Sequence, residues 1–281
     1  MHSITARRVK IRTDYQFQSN LVSSVGNPPP LAYVNAGHYL TNQTVDGVSR
    51  TVLRWPQGSG LMLQPSGGVF SSNNYTVVLL FKLETVGGYR RLFDAKNGSS
   101  EAGLYVHDSK LSYFGSTSDS AVCVTNNTWH QAVLTRNAAN NQVAIYCDGV
   151  QRLSFTDSGN NAVISANNVR FFKDNTSEDA AGWVARIRNF ATALTPGEVA
   201  NLDRLPGVSP GGNPFLLSAA HQAANGAFVF QVTGPNEPVR IESSTNLADW
   251  SVVTNLNSFA GSYWHTNVLA PGGRFFRTRK L

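Results

Sequence analysis

Trp129-His130-Gln131-Ala132-Val133-Leu134-Thr135-Arg136, followed by Val143-Ala144-Ile145-Tyr146-Cys147-Asp148-Gly149-Val150, is the stretch whose reading decides the fold. Both segments are short and apolar, rich in β-branched residues, and separated by an Asn-rich break, so each reads as a strand. Asp148-Gly149 supplies the positive φ angles that a tight hairpin turn requires. Trp129 is expected to act as a large anchor in the space between two stacked sheets, and Trp129, Tyr146 and Asp148 are read as fold-building residues.

Outward from this stretch, similar runs recur between Thr51 and Arg188: Leu61–Leu63, Tyr75–Phe81, Gly103–His107, Gln131–Thr135, Gln142–Tyr146 and Val169–Phe172. Each is bounded by Gly, Asn, Asp or Ser, which predicts an all-β sandwich. One short helix is expected at Thr195-Pro196-Gly197-Glu198, with Thr as N-cap, Pro at the first helical position and Glu returning a bond to the cap. Residues 206–214, with three prolines and three glycines in PGVSPGGNP, can sustain neither ladder nor helix and read as a linker. Beyond them, Ala227–Thr233, Val239–Ser243, Trp250–Thr254, Ser262–His265 and Arg274–Arg279 form a second set of short strands. The predicted organisation is therefore a basic arm at 1–11, a sandwich at 12–205, the linker, and a small β-sandwich module at 215–281.

The first hairpin resembles the Trp-His-x-Val-x-Val-Thr-Arg and Tyr-x-Asp-Gly strands of laminin-G-like domains. Arg91-Leu92-Phe93-Asp94 and Gly182-Trp183-Val184-Ala185-Arg186-Ile187-Arg188-Asn189-Phe190, leading into Ala193–Val199, match the same family in the same order. The resemblance covers roughly residues 12 to 205 and implies a concanavalin A-like jelly-roll sandwich. Such domains often hold calcium at the sandwich rim through hard oxygen ligands. Ala185 stands where the family usually has Asp, and Asp174, Asn175 and Asp179, with Glu178 in the same loop, are the candidate metal ligands instead. The C-terminal part is similar to a small module of exported Verrucomicrobia-type bacterial proteins. Glu242-Ser243-Ser244-Thr245-Asn246-Leu247-Ala248-Asp249-Trp250 and Arg274-Phe275-Phe276-Arg277 carry that resemblance, which implies a secreted or cell-surface multidomain protein. Cys123 and Cys147, the only cysteines, fall on neighbouring strands and are expected to form a disulfide in an exported protein.

The formal charge of +6 is spread along the chain, with clusters at Arg7, Arg8, Lys10 and Arg12 and at Arg274, Arg277, Arg279 and Lys280. No recognition helix or RNA-binding signature accompanies it, so an acidic polysaccharide is a better partner than nucleic acid. No run of 18 apolar residues predicts a membrane span. The segment MHSITARRVKIRTDYQ is polar throughout and lacks the apolar core of a secretory leader.

Catalytic patterns are sparse. The glutamates are isolated in sequence, without the paired carboxylates of a jelly-roll glucanase, and no nucleophile elbow occurs. A polysaccharide lyase would need less fixed spacing, and Tyr105 and His107 with Arg91 supply its base, acid and carboxylate-neutralising group. For glycan binding, Tyr105, His107, Tyr113, Phe114 and Trp183 are the candidate platform, while Trp55 sits where the family it resembles packs a core aromatic. The leading expectation is a non-catalytic lectin-like or adhesion module with a polysaccharide ligand and no assured cofactor, calcium being the one the resemblance suggests. A glycan-active enzyme on the same scaffold and a protein-binding spacer are the alternatives. Oligomeric state is not legible.

Overall fold

The computed structural model describes residues 11–115, 119–206, 216–223, 227–233, 238–246, 249–257, 262–267 and 274–280. The expected linker lies outside the described residues apart from Pro206, as does the arm apart from Ile11. The chain divides into two compact units, Met1–Ala200 and Asn201–Leu281.

The first unit is built from two antiparallel sheets. Sheet I runs β13 (Val150–Thr156), β12 (Gln142–Cys147), β11 (His130–Asn137), β6 (Tyr75–Leu83), β15 (Gly182–Phe190), β4 (Val48–Trp55) and β3 (Tyr39–Val45), and β1 (Ile11–Tyr15) pairs with the second half of β15. Sheet II runs β10 (Asp119–Val122), β9 (Lys110–Phe114), β8 (Gly103–His107), β7 (Tyr89–Asp94), β14 (Val169–Phe171), β5 (Gly60–Leu63) and β2 (Ala32–Val34).

The period of two sets the core. Tyr75, Val77, Leu79, Phe81 and Leu83 of β6 join the buried cluster between the sheets, together with Ala132 and Leu134 of β11 and Val143, Ile145 and Cys147 of β12. Register opposes His130 to Phe81, Ala132 to Leu79 and Leu134 to Val77, so Trp129, one residue earlier, belongs to the other side of the sheet. That corrects the expectation for Trp129: it is half-buried, its Nε1 donates to the Thr44 carbonyl at 3.0 Å, and the Lys82 ammonium lies 5.3 Å from its ring. The interior tryptophan is Trp55, fully buried, stacked on Phe172 at 4.1 Å and donating to the Ala180 carbonyl at 2.8 Å.

Asp148 and Gly149 close the β12–β13 turn with φ of 50° and 79°. Asp148 also accepts from His130 Nδ1 at 2.8 Å and from the Gln131 amide at 2.7 Å. Because Thr125 N–H donates to His130 Nε2 at 3.1 Å, the ring proton sits on Nδ1. Arg136 is buried and bound to Asp157 at 2.9 Å, tying the far end of β11 to the loop after β13. The helix α1 (Pro196–Ala200) starts as expected, with Glu198 accepting from the Thr195 amide at 2.7 Å and donating its own amide to Thr195 Oγ1 at 3.3 Å.

The second unit contains two three-stranded sheets, β16 (Leu216–Gln222), β17 (Phe228–Thr233) and β20 (Ser262–Asn267), and β19 (Ser251–Leu256), β18 (Val239–Ser244) and β21 (Phe275–Lys280). Phe230, Val232, Val239 and Ile241 form its buried cluster. Its signature residues meet, since Arg277 binds Glu242 at 2.6 Å and lies 4.1 Å over the Trp250 ring.

Candidate functional site

The outer face of sheet II gathers most of the predicted ligand residues. Across β7, β8, β9 and β10, one row of cross-strand partners is Tyr89, His107 and Lys110, and the next is Arg91, Tyr105, Ser112 and Asp119. Alternation turns these residues away from the core, into which Leu104, Val106, Leu111 and Tyr113 point. Phe114 stands on the same outer face, 44% exposed.

The rings form one cluster. Tyr89 and His107 stack with centroids 3.8 Å apart and planes within 3° of parallel. Tyr89 meets Tyr105 edge-on at 5.5 Å, and Phe114 lies 6.1 Å from Tyr89 and 6.4 Å from Tyr105. His107 is oriented from behind, its Nδ1 donating to Asp119 at 2.8 Å. Burial pushes the Asp119 carboxyl up, but hydrogen bonds from Ser112 and His107 outweigh it and hold the group below its ordinary range.

Beneath this cluster is an ionic floor centred on a fully buried Arg91–Asp174 pair. Arg91, 1% exposed, donates to Asp174 at 2.6 Å and to Glu101 at 3.1 Å, and its guanidinium lies 4.5 Å from the Tyr105 ring. Tyr105, with no exposed surface, donates its hydroxyl toward Glu101 and Asp174 at 3.2 and 3.3 Å. Burial is the main reason its phenol ionises far above the ordinary range. Glu101, Asp174 and Glu178 bring carboxylate oxygens within 4.8 Å of one another. Burial first, and then the charges of Asp174 and Glu101, push Glu178 up.

Four predicted residues, Arg91, Tyr105, His107 and Phe114, therefore share one face, and two do not. Tyr113 is 1% exposed and packs in the core, because adjacent strand residues point to opposite sides. Trp183 stands on the outer face of sheet I between Arg54 at 4.7 Å and Lys82 at 4.3 Å, so cations cover both sides of its ring. The three expected metal ligands do not form one group. Asp174 is saturated by Arg91 and by the amide and hydroxyl of Thr176, Asp179 binds Lys173 at 2.7 Å and the Gly58 amide at 2.9 Å, and Asn175 donates to Glu101 at 2.6 Å. Arg91 already supplies the positive charge among these carboxylates, and Ala185 is buried without an oxygen to offer, so this donor set does not fit calcium. The two cysteines are free thiols, with Cys147 Sγ donating to the Cys123 carbonyl at 3.2 Å.

Sequence inspection missed Tyr89, Lys110, Asp119 and Glu101, and named Glu178 only beside the candidate metal ligands of its loop. Tyr89 was recoverable, since Tyr89 and Arg91 alternate beside Tyr105 and His107. Glu101 and Asp119 were not, because one arrives from the segment before β8 and the other from the edge strand β10.

A family model described as the concanavalin A-like lectin/glucanases superfamily matches residues 57–200, half of the chain. No curated protein sequence matches it. Among solved structures, domain 4 of AbnA, a GH43 extracellular arabinanase from Geobacillus stearothermophilus solved with arabinotriose, is similar with a TM-score of 0.55 and 21% identity, covering 68% of this chain and 97% of that one. The binding domain of Paraclostridial Mosquitocidal Protein 1 gives a TM-score of 0.51 at 14% identity, covering 86% of this chain and 66% of that one. The CBM40 of the Ruminococcus gnavus IT-sialidase, solved with α2,3-sialyllactose, gives 0.44 at 15%, covering 53% and 94%. At these identities the likeness to the first two structures is one of fold alone.

Proposed function

Because the chain belongs to the concanavalin A-like lectin/glucanase superfamily, a scaffold on which function is set by the site, we propose that it is a non-catalytic carbohydrate-binding module using the outer face of sheet II. One observation carries this reading: the stacked Tyr89–His107 pair beside the exposed Phe114, rimmed by Lys110, Asp119 and Glu178. The apolar face of a sugar ring lies on such rings, and the rim bonds its hydroxyls. The likeness in fold to an arabinanase domain solved with arabinotriose supports it.

A neutral glycan suits this face better than an acidic one. Glu101, Glu178, Asp108 and Asp119 surround the rings and outnumber Lys110 and Arg90 there, and the charge of Arg91 is consumed by Asp174 and Glu101. The acidic polysaccharide suggested by the whole-chain charge would have to bind elsewhere. The lyase alternative fares worse, because Tyr105 and Arg91 are sealed from substrate and the tyrosine is held protonated. No described helix is long and apolar enough to cross a membrane. Residence outside the cell rests on the resemblance of the C-terminal module.

Calorimetry against neutral arabinans, xylans and glucans, and against uronate polymers, tests the assignment. Binding to a neutral polymer that falls about tenfold in Phe114→Ala or Tyr89→Ala, and is unchanged in Trp183→Ala, is expected. Failure to bind any glycan, with or without calcium, or loss of binding only in Trp183→Ala, overturns it; unsaturated uronate products absorbing in the ultraviolet would establish the lyase instead.

A further inference from the structure

Cys147 ends β12 in sheet I and is 1% exposed, whereas Cys123 follows β10 at the edge of sheet II and is partly exposed. The Cys147 thiol lies against both the carbonyl oxygen and the sulfur of Cys123, 3.2 Å from the former. Ser120 Oγ is 3.8 Å from Cys123 Sγ, and the Cys123 and Val124 amides both donate to the Ser109 carbonyl at 2.9 Å, fixing the segment that presents the sulfur.

We propose that Cys123 and Cys147 are a redox-active dithiol in which the accessible Cys123 attacks an external disulfide and the buried Cys147 resolves the product. The Cys123 thiolate forms a bond to one sulfur of the external disulfide, whose S–S bond breaks and whose other half leaves as a thiolate. Cys147 sulfur then displaces the second half from Cys123, and its proton passes to a leaving thiolate. The protein dithiol is oxidised to an intramolecular disulfide, and the external disulfide, of the glutathione type or carried by a protein, is reduced to two thiols.

The two positions suit these roles. The hydrogen bond from Cys147 lowers the Cys123 thiol, with Ser120 assisting against the effect of burial, while the same bond and burial raise Cys147. An accessible, stabilised thiolate beside a buried resolving partner is the arrangement that reacts selectively. The new bond would join the segment leaving β10 to the end of β12 and so clamp sheet II to sheet I at this edge. β10 also carries Asp119, which orients His107, so oxidation would secure the edge strand of the glycan-binding face.

Intact mass and thiol labelling of the native chain in oxidised and reduced glutathione test this independently of glycan binding. Loss of two hydrogens in oxidised glutathione, reversed by the reduced form, is expected, with a higher unfolding midpoint for the oxidised chain. In Cys147→Ser a stable glutathione adduct should accumulate on Cys123, about tenfold or more faster than any adduct in Cys123→Ser. Circular dichroism identical to that of the unsubstituted chain shows that each variant is folded. The proposal is overturned if both thiols stay free in oxidised glutathione, or if Cys147 in Cys123→Ser reacts as fast as Cys123 in Cys147→Ser.

Discussion

On the outer face of sheet II the cation lies beneath the rings, whereas on that of sheet I it lies between them. Arg91 sits under Tyr105, neutralised by Asp174 and Glu101, and the rings of Tyr89, His107 and Phe114 are left outermost. Across sheet I, Trp129, Lys82, Trp183, Arg54 and Tyr39 occupy one row of adjacent strands, and Lys82 is held by Gln43 at 2.8 Å. There the cations cap the tryptophan that a sugar would need. Both faces combine aromatic rings with cations, so it is the depth of the charge that decides whether an aromatic surface is a platform or a closed stack.

The contrast is broken most directly through its cations. Arg91→Ala leaves Asp174 buried with an uncompensated charge and removes the support under Tyr105, and should cost about 3–5 kcal/mol. Arg54→Ala removes a bridge to Glu84, whose side chain is 40% exposed, and should cost under about 1 kcal/mol. Urea unfolding midpoints compare the two. Equal losses would mean that the two cations do the same work and that the distinction by depth is wrong.

A smaller effect sharpens the description of sheet I. If Lys82 and Trp183 form a closed stack, a double-mutant cycle with Lys82→Ala and Trp183→Ala should return a coupling of about 0.5–1 kcal/mol. A coupling of zero would leave Trp183 free to meet a ligand and return it to the candidate platform.

The parts of the fold that were legible in the sequence are local ones. Asp148-Gly149 announces a tight turn because positive φ is needed at both positions, and Thr195 with Glu198 announces a helix start because the two groups lie within one turn of each other. What failed was parity. Trp129 is adjacent to the inward-facing His130, and Phe114 is adjacent to the inward-facing Tyr113, so neither pair can share a side. A strand pattern announces that residues alternate, yet the choice of inner face depends on which neighbours pair with it. The approach of Glu101 to Asp174 and Glu178 was further out of reach, because it is created by β8 and β14 flanking β7, with nothing around Glu101 in the sequence to signal it.

The smallest effect separates the faces by sign. Burial, followed by Asp174 and Glu101, raises the Glu178 carboxyl above its unfolded value, so ionising it in the folded chain opposes folding. The stability tied to its proton is fully present below the unfolded value of about 4.3 and is lost as pH rises through the raised folded value. Glu178→Gln should therefore stabilise the chain at pH 7, by about 0.5 kcal/mol or less because solvent screens a partly exposed group, and the gain should vanish near pH 4, where the native carboxyl is already protonated. On sheet I, Glu84→Gln gives up the 2.6 Å bridge to Arg54 and should destabilise slightly at pH 7. Thermal unfolding of both variants across this pH range reads the two signs together. If Glu178→Gln were destabilising at pH 7, the favourable charges of Arg91 and Arg90 would outweigh burial and the neighbouring carboxylates at this position.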